Sequence, residues 1–246
     1  MILNEKNEIF VEKTENMLEN IDFSTHLASL DQNGYVVLPK ILSDEECDLL
    51  VDTYEEPSNF RSVINMKRYQ FGSGEYKYFK YPLPNIIEEL RHELYPHLAQ
   101  IANDWMLKLG ITKTFPKQLD ELLETCHQAG QTRPTPLILK YGPGDWNALH
   151  QDLYGEIFFP FQAVVFLTQP NVDYTGGEFV MVENRPRMQS KGIVLQPNKG
   201  EMVIFTTNFR PTLGVKGYYR TSMRHGVSEI RSGKRMNVGI IFHDAT

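Results

Sequence analysis

Leu149-His150-Gln151-Asp152-Leu153-Tyr154, read with the distant His225 and the run Arg235-Met236-Asn237-Val238-Gly239-Ile240-Ile241-Phe242, decides the fold of this chain. Both stretches alternate as β-strands do. In an extended strand residues i and i+2 project to the same side, so His150 and Asp152 point together while Gln151 points away. Two imidazoles and one carboxylate on one face of an ion form the facial ligand set of non-haem Fe(II) sites, with the opposite face open to a co-substrate and O2. His225 is the expected third ligand, and a barrel can bring its strand beside that of His150.

Working outward, the sequence after Pro134 is a series of short strands separated by turn signals. The expected strands are Leu137–Tyr141, Leu149–Tyr154, Gln162–Thr168, Glu178–Glu183, Gly192–Gln196, Glu201–Thr206, Ser222–Val227 and Met236–Phe242. Pro143-Gly144, Tyr174-Thr-Gly-Gly177, Pro197-Asn-Lys-Gly200 and Ser232-Gly233 read as the turns between them. This spacing predicts a mainly β fold with flanking helices: a double-stranded β-helix, the jelly-roll barrel of cupin type.

The first half reads differently. Ser43-Asp-Glu-Glu46 is a capping box opening a helix through Cys47, Leu49, Leu50 and Val51. Ile86, Leu90, Leu94, Leu98, Ile101 and Trp105 make one apolar stripe of a helix over about 85–109, with Pro96 as a point of kinking or division. A second amphipathic helix is expected over about 117–128. Gly34–Pro39 reads as a short strand, residues 1–30 as an acidic peripheral helix, and 56–83 as an irregular loop rich in Gly, Tyr and Lys. One domain over 1–246 is expected, with 1–133 as helical support and 134–246 as the jelly-roll core.

Composition narrows the function. Of 246 residues, 41% are hydrophobic and 23% charged, as in ordinary globular chains, and the net charge of −6 opposes long-range attraction to nucleic acid. No apolar run is long enough to span a membrane, and the N-terminus lacks a signal-peptide core. Two cysteines make no disulfide framework, so the cytoplasm is the expected compartment.

Around the expected metal ligands His150, Asp152 and His225 stand further candidates. Arg235, ten residues past His225, offers a planar fork for the distal carboxylate of 2-oxoglutarate. Asn237 shares its strand parity and faces the same cavity. Tyr141 alternates inward and is placed to donate its hydroxyl to that carboxylate. Tyr154 and Arg187 are candidates for contact with the primary substrate. His243-Asp244 lacks the skipped residue of a ligand pair and reads as structural. Two rival readings, a non-catalytic cupin-like sensor and a zinc hydrolase, give no reason for an inward-facing Arg235.

Tyr141-Gly-Pro-Gly-Asp-Trp-Asn-Ala-Leu-His150-Gln-Asp152, with a basic residue ten positions past the distal histidine, resembles prolyl-4-hydroxylase-type 2-oxoglutarate oxygenases. The chain from about Phe60 onward also resembles a prokaryotic family of 2-oxoglutarate–Fe(II) oxygenases labelled as acting on alkylated DNA. That resemblance rests on Phe71-Gly-Ser-Gly-Glu-Tyr-Lys-Tyr-Phe79, Gln131-Thr-Arg-Pro-Thr-Pro136, Leu149–Gly155, Arg185-Pro-Arg-Met-Gln-Ser190 and Ile241-Phe-His-Asp-Ala245. It implies Fe(II), 2-oxoglutarate and O2, and an enzyme that hydroxylates or oxidatively demethylates a C–H bond with release of succinate and CO2. Alkylated-DNA demethylases carry Arg-x-Asn-x-Thr-x-Arg in the last strand, whereas this chain reads Arg235-Met-Asn237-Val-Gly239-Ile-Ile241. The acidic charge and the missing second arginine favour a small molecule or protein side chain as substrate, with alkylated nucleic acid as the alternative.

Overall fold

The computed structural model describes residue 18, residues 21–152 and residues 155–246. The expected helix over 1–30 lies largely outside them; what is described is α1 (Phe23–Asn33), capped by Asp22 and closed by Gly34 in the left-handed region. Next come β1 (Tyr35–Leu38), α2 (Asp44–Thr53), β2 (Phe60–Asn65), β3 (Gly72–Ser73) and β4 (Glu75–Phe79). Helices α3 (Asn85–Lys108) and α4 (Leu119–Gln128) precede β5 (Leu137–Tyr141), β6 (Trp146–His150), β7 (Phe161–Phe166) and β8 (Tyr174–Gly176). The chain ends with β9 (Phe179–Asn184), β10 (Lys191–Leu195), β11 (Met202–Thr206), β12 (Phe209–Gly214), β13 (Gly217–Val227), β14 (Ile230–Gly233) and β15 (Arg235–Ile241).

Two antiparallel sheets make the barrel. The larger runs β1-β11-β7-β15-β5-β4-β2 and the smaller β10-β9-β13-β6-β3, with β12 paired to β13. Alternation along each strand of the larger sheet separates two environments. Met236, Val238 and Ile240 of β15, Phe161, Ala163 and Val165 of β7, and Ile138 of β5 join the core beneath the helices. The residues between them turn into the barrel, where Val164, Phe166, Val203 and Phe205 pack against Phe179, Met181 and Met223 of the smaller sheet.

The helices buttress the outer face of the larger sheet. Ser43 and Glu46 form the expected capping box, with reciprocal bonds of 3.1 and 2.8 Å. Helix α3 passes through Pro96 without a break, because Tyr95, Leu98 and Ala99 on either side are fully packed. Trp105 lies 4.7 Å from the Phe161 ring, centroid to centroid. Packing of this kind outweighs one lost helical hydrogen bond.

The first half of the chain is more than support. Residues 56–83, expected as a loop, contain β2, β3 and β4: β4 pairs with β5 in the larger sheet, while β3 pairs with β6 in the smaller. This segment therefore bridges the two sheets. The glycines of Phe71-Gly-Ser-Gly are required there. A Cβ on Gly72 would meet the Trp146 carbonyl oxygen at 2.3 Å and one on Gly74 the Tyr141 ring at 2.8 Å, and both residues have positive φ. Strands β8, β12 and β14 were also not expected from the sequence, and the Tyr174–Gly177 and Ser232-Gly233 turns proved to hold strand residues.

His243 and Asp244 are structural, as their spacing suggested. Buried Asp244 pairs with buried Arg91 of α3 at 3.0 Å and accepts from Tyr81 and His127, each at 2.9 Å. Gln131 donates to the Asp244 carbonyl at 2.6 Å. The C-terminus is thus tied to α3, α4 and the entry to β5. Among the described residues no helix is long and apolar enough to cross a membrane.

Candidate metal and co-substrate site

His150 closes β6 and His225 lies opposite it on β13, as direct cross-strand partners. Asp152 follows two residues after the end of β6. The ligand atoms of His150, Asp152 and His225 all lie within 4.8 Å of one another. His150 Nε2 is 3.4 Å from one Asp152 oxygen and His225 Nε2 is 3.3 Å from the other. The imidazole centroids are 4.2 Å apart. Two donors bound to one ion at about 2.0–2.2 Å each stand about 3 Å apart when at right angles, so this set fits one metal ion with little adjustment. Among the described residues no other group of three or more His, Cys, Asp or Glu side chains is so placed.

The tautomer of His150 is fixed by its surroundings. Its Nδ1 lies 2.7 Å from the Ala148 carbonyl, which only accepts, so Nδ1 carries the proton and Nε2 keeps its lone pair for a metal. Burial would raise the Asp152 carboxyl, yet His150 and His225 hold it well below the usual carboxylate range. Burial, seconded by the neighbouring His150, pushes the His225 imidazole down. For His150 burial acts downward too, but the Asp152 carboxylate outweighs it and the pKa is raised. The site thus holds an ionised acid beside two imidazoles, the protonation pattern of a cation site.

Gln151 does point away from the ligands. Its Nε2 lies within 2.8–3.1 Å of four acceptors: the Asn208 carbonyl, Asn208 Oδ1, Ser222 Oγ and the Met223 carbonyl. It fastens the His-x-Asp turn to the strand that carries His225.

A cavity of about 300 Å³ opens from the triad between the sheets. Tyr141 and Asn237 line it, and Arg235 pairs in register with Tyr141. Arg235 is fully buried, and its Nη1 donates to Asn237 Oδ1 at 2.6 Å. Its Nε and Nη2 have no hydrogen-bond partner. Burial pushes the guanidinium pKa down, opposed by the nearby Tyr174 and Tyr141 hydroxyls. A buried cation with one edge unpaired is costly unless an anion meets it, and the Nε–Nη2 edge is the one that binds a carboxylate in bidentate fashion. The residues therefore fit 2-oxoglutarate as well as the metal.

The other candidates divide. Asn237 lines the cavity, and its amide oxygen holds one arm of Arg235 so that the other edge stays free. Tyr141 is fully buried, its hydroxyl bonded to Asn147 Nδ2 at 3.4 Å, and burial pushes its pKa up to about 12. Arg187 is exposed on the turn between β9 and β10 and does not line the cavity, because its left-handed backbone (φ 62°) carries it around that turn. Tyr154 lies outside the described residues. The sequence reading passed over Tyr174, Gln151 as an anchor, and Gln162, a buried amide whose signal was a lone polar residue inside an apolar strand.

Residues 74–245 match the family Oxygenase-NA, described as "Oxygenase, catalysing oxidative methylation of damaged DNA". The chain is similar to the uncharacterized protein Rv2227 of Mycobacterium tuberculosis, at 53% identity over 167 residues, 68% of this chain and 72% of that protein. Among solved structures it is similar to a Pseudomonas putida prolyl-4-hydroxylase (12% identity, TM-score 0.52, 90% of this chain and 99% of that one). It is similar also to a prolyl hydroxylase of Trichoplax adhaerens in complex with a hypoxia inducible factor peptide fragment (15%, TM-score 0.54, 95% and 94%). A third is an oxidoreductase of the 2OG-Fe(II) oxygenase family from Burkholderia pseudomallei (15%, TM-score 0.51, 96% and 96%).

Proposed function

We propose that this chain, which belongs to the Oxygenase-NA family and is a 2-oxoglutarate and Fe(II) dependent oxygenase, holds its metal with His150, Asp152 and His225 and its co-substrate with Arg235. The observation that carries this assignment is the pairing of the triad with a buried guanidinium that keeps one edge unpaired and is set against Tyr141 and Asn237, which line the same cavity. Fe(II), 2-oxoglutarate and O2 together supply the oxidant for an unreactive C–H bond, with succinate and CO2 as co-products. The chain's own residues do the rest. His150 and His225 present imidazole nitrogens, Asp152 presents an ionised carboxylate, and Arg235, held by Asn237, fixes the co-substrate's far end. The apolar wall, including Leu137, Leu139, Val164 and Phe205, keeps bulk water from the reacting centre.

Hydroxylation and oxidative demethylation begin with the same insertion of oxygen into C–H. On an N-methyl group the product N–CH2OH loses formaldehyde and leaves N–H. The net charge of −6 favours a small molecule or protein side chain. The segment that frames the cavity is different in character. Residues 60–80 carry five Lys or Arg against one Glu, and six aromatic residues. Within it the exposed Tyr69 and Phe71 rings stack at 5.6 Å beside exposed Lys67 and Arg68. Cations interleaved with exposed aromatic faces suit single-stranded nucleic acid, whose bases stack on such platforms. With the family description, this supports an N-alkylated base in a single strand as the primary substrate. We place the activity in the cytoplasm, in keeping with two buried free cysteines.

The test is succinate formation by the Fe(II)-loaded protein with single-stranded oligonucleotides carrying methylated bases, methylated peptides or free amino acids. Stimulation by methylated oligonucleotides with release of formaldehyde is expected. Stimulation by peptides or amino acids alone would replace the nucleic acid reading and leave the oxygenase assignment standing.

A further inference from the structure

One side chain of the cavity wall is not used by the triad or by the Arg235 anchor. Gln162 is the second residue of β7. It alternates with Phe161 and Ala163, which face the helices, and so turns into the barrel. It is 5% exposed and lines the cavity that holds His150, Asp152 and His225. Its Nε2 has no hydrogen-bond partner. Its cross-strand neighbours are Phe205 on β11 and Ile241 on β15, neither of which has a side-chain acceptor. The Phe205 ring lies 4.6 Å from that of His225, so Gln162 stands one side chain away from the triad.

An unsatisfied amide in an apolar wall is destabilising. Val or Leu, as elsewhere on this sheet, would fill the position without that cost. The Arg235 anchor does not account for it: Arg235 begins β15 and Ile241, beside Gln162, ends it, six residues or about 20 Å apart along the strand. Gln162 therefore stands toward the triad end of the cavity, where the primary substrate has to reach the oxidant.

We infer that Gln162 is the specificity-determining residue for the primary substrate: its Nε2–H donates to a ring nitrogen or carbonyl oxygen on the edge of the alkylated base. A neutral carboxamide suits this task because base edges present neutral donors and acceptors, which Asn and Gln read elsewhere in pairs. No base-specific role falls to the aromatic rim, since stacking on Tyr69 and Phe71 is indifferent to base identity. The inference rests on the nucleic acid reading above.

The test compares wild type with Gln162→Leu, which removes the polar edge at similar volume, and Gln162→Glu, which turns the donor into an acceptor. Two measurements are made on the Fe(II)-loaded protein. One is the anaerobic visible band formed on titration with 2-oxoglutarate. The other is oxidation of single-stranded oligonucleotides carrying 1-methyladenine or 3-methylcytosine, read by mass. Both variants should titrate with 2-oxoglutarate within about twofold of wild type, and both should lose about tenfold or more in kcat/KM for at least one oligonucleotide. Oxidation by Gln162→Leu at the wild-type rate overturns the inference. A parallel loss of 2-oxoglutarate binding overturns it as well, because Gln162 then serves the co-substrate or the fold. If the wild type oxidises neither oligonucleotide, the nucleic acid reading fails and takes the base contact with it.

Discussion

The Gln151 amide lies 2.9 Å from the carbonyl oxygen of Met223, two residues before His225, and so binds the turn carrying two of the proposed metal ligands to the strand carrying the third. The three ligands come from two distant parts of the chain. This bond, with those to Asn208 and Ser222, is a side-chain link between them that involves no ligand. Replacing Gln151 by Leu should weaken Fe(II) binding about 10–100-fold, the range for losing an outer-shell support. A Co(II) or Fe(II) titration with unchanged far-UV circular dichroism checks it; wild-type affinity would show that the turn holds its geometry unaided.

Arg235→Ala should weaken 2-oxoglutarate binding by about 2–5 kcal/mol, the range for truncating one partner of a buried charge pair, with Fe(II) affinity nearly unchanged. Asn237→Ala should act in the same direction and less strongly, because it frees the Nη1 arm without removing the cation. Anaerobic titration of the Fe(II)–2-oxoglutarate band measures both. Equal binding by Arg235→Ala and wild type would reject the anchor.

Asp244→Ala should destabilise the fold by about 3–5 kcal/mol, since it leaves Arg91 buried without its counter-ion. Exposed pairs such as Lys40–Asp44 should contribute much less, because solvent screens them. Urea denaturation of Asp244→Ala and Lys40→Ala decides whether the C-terminal lock differs from a surface pair.

His243 sets an acid limit on stability. It is fully buried, and its Nδ1 accepts the Phe159 N–H at 3.2 Å, so the proton sits on Nε2. Burial, aided by the Arg91 charge, pushes its pKa down to about 4 from an ordinary 6.5. Between those values the unfolded chain binds the proton more tightly, so stability rises with pH. The contribution is complete above about pH 6.5 and is lost as pH falls toward 4, amounting to about 3 kcal/mol by the free energy of one pKa unit. His243→Asn supplies an oxygen acceptor that does not titrate in this window. Its stability should change less between pH 6.5 and 4 than that of wild type in chemical denaturation at each pH.

Much of the site was legible in the sequence because the relevant spacings are local. The two-residue repeat turns His150 and Asp152 to one side although β6 covers Trp146–His150, not the expected Leu149–Tyr154, and ends before Asp152; Arg235 and Asn237 share a face on β15. The capping box at Ser43, the apolar stripe of α3 and the β texture after Pro134 are likewise carried by neighbouring residues. What only the tertiary structure decided is non-local. Strands β2–β4 were hidden because they are short and rich in Gly and Tyr; β4 and β3 become strands through pairing with β5 and β6, about sixty or more residues downstream, and β2 through pairing with β4. Asn237, read as a co-substrate contact, proved also to hold one arm of Arg235, and Arg187 lies outside the cavity lining, since a turn's direction is set by the sheets it joins. Gln162 gained its meaning only when Phe205 and Ile241 were found on either side of it. Periodicity states which side of a strand a residue takes; whether its polar atoms are satisfied depends on which strands lie across from it.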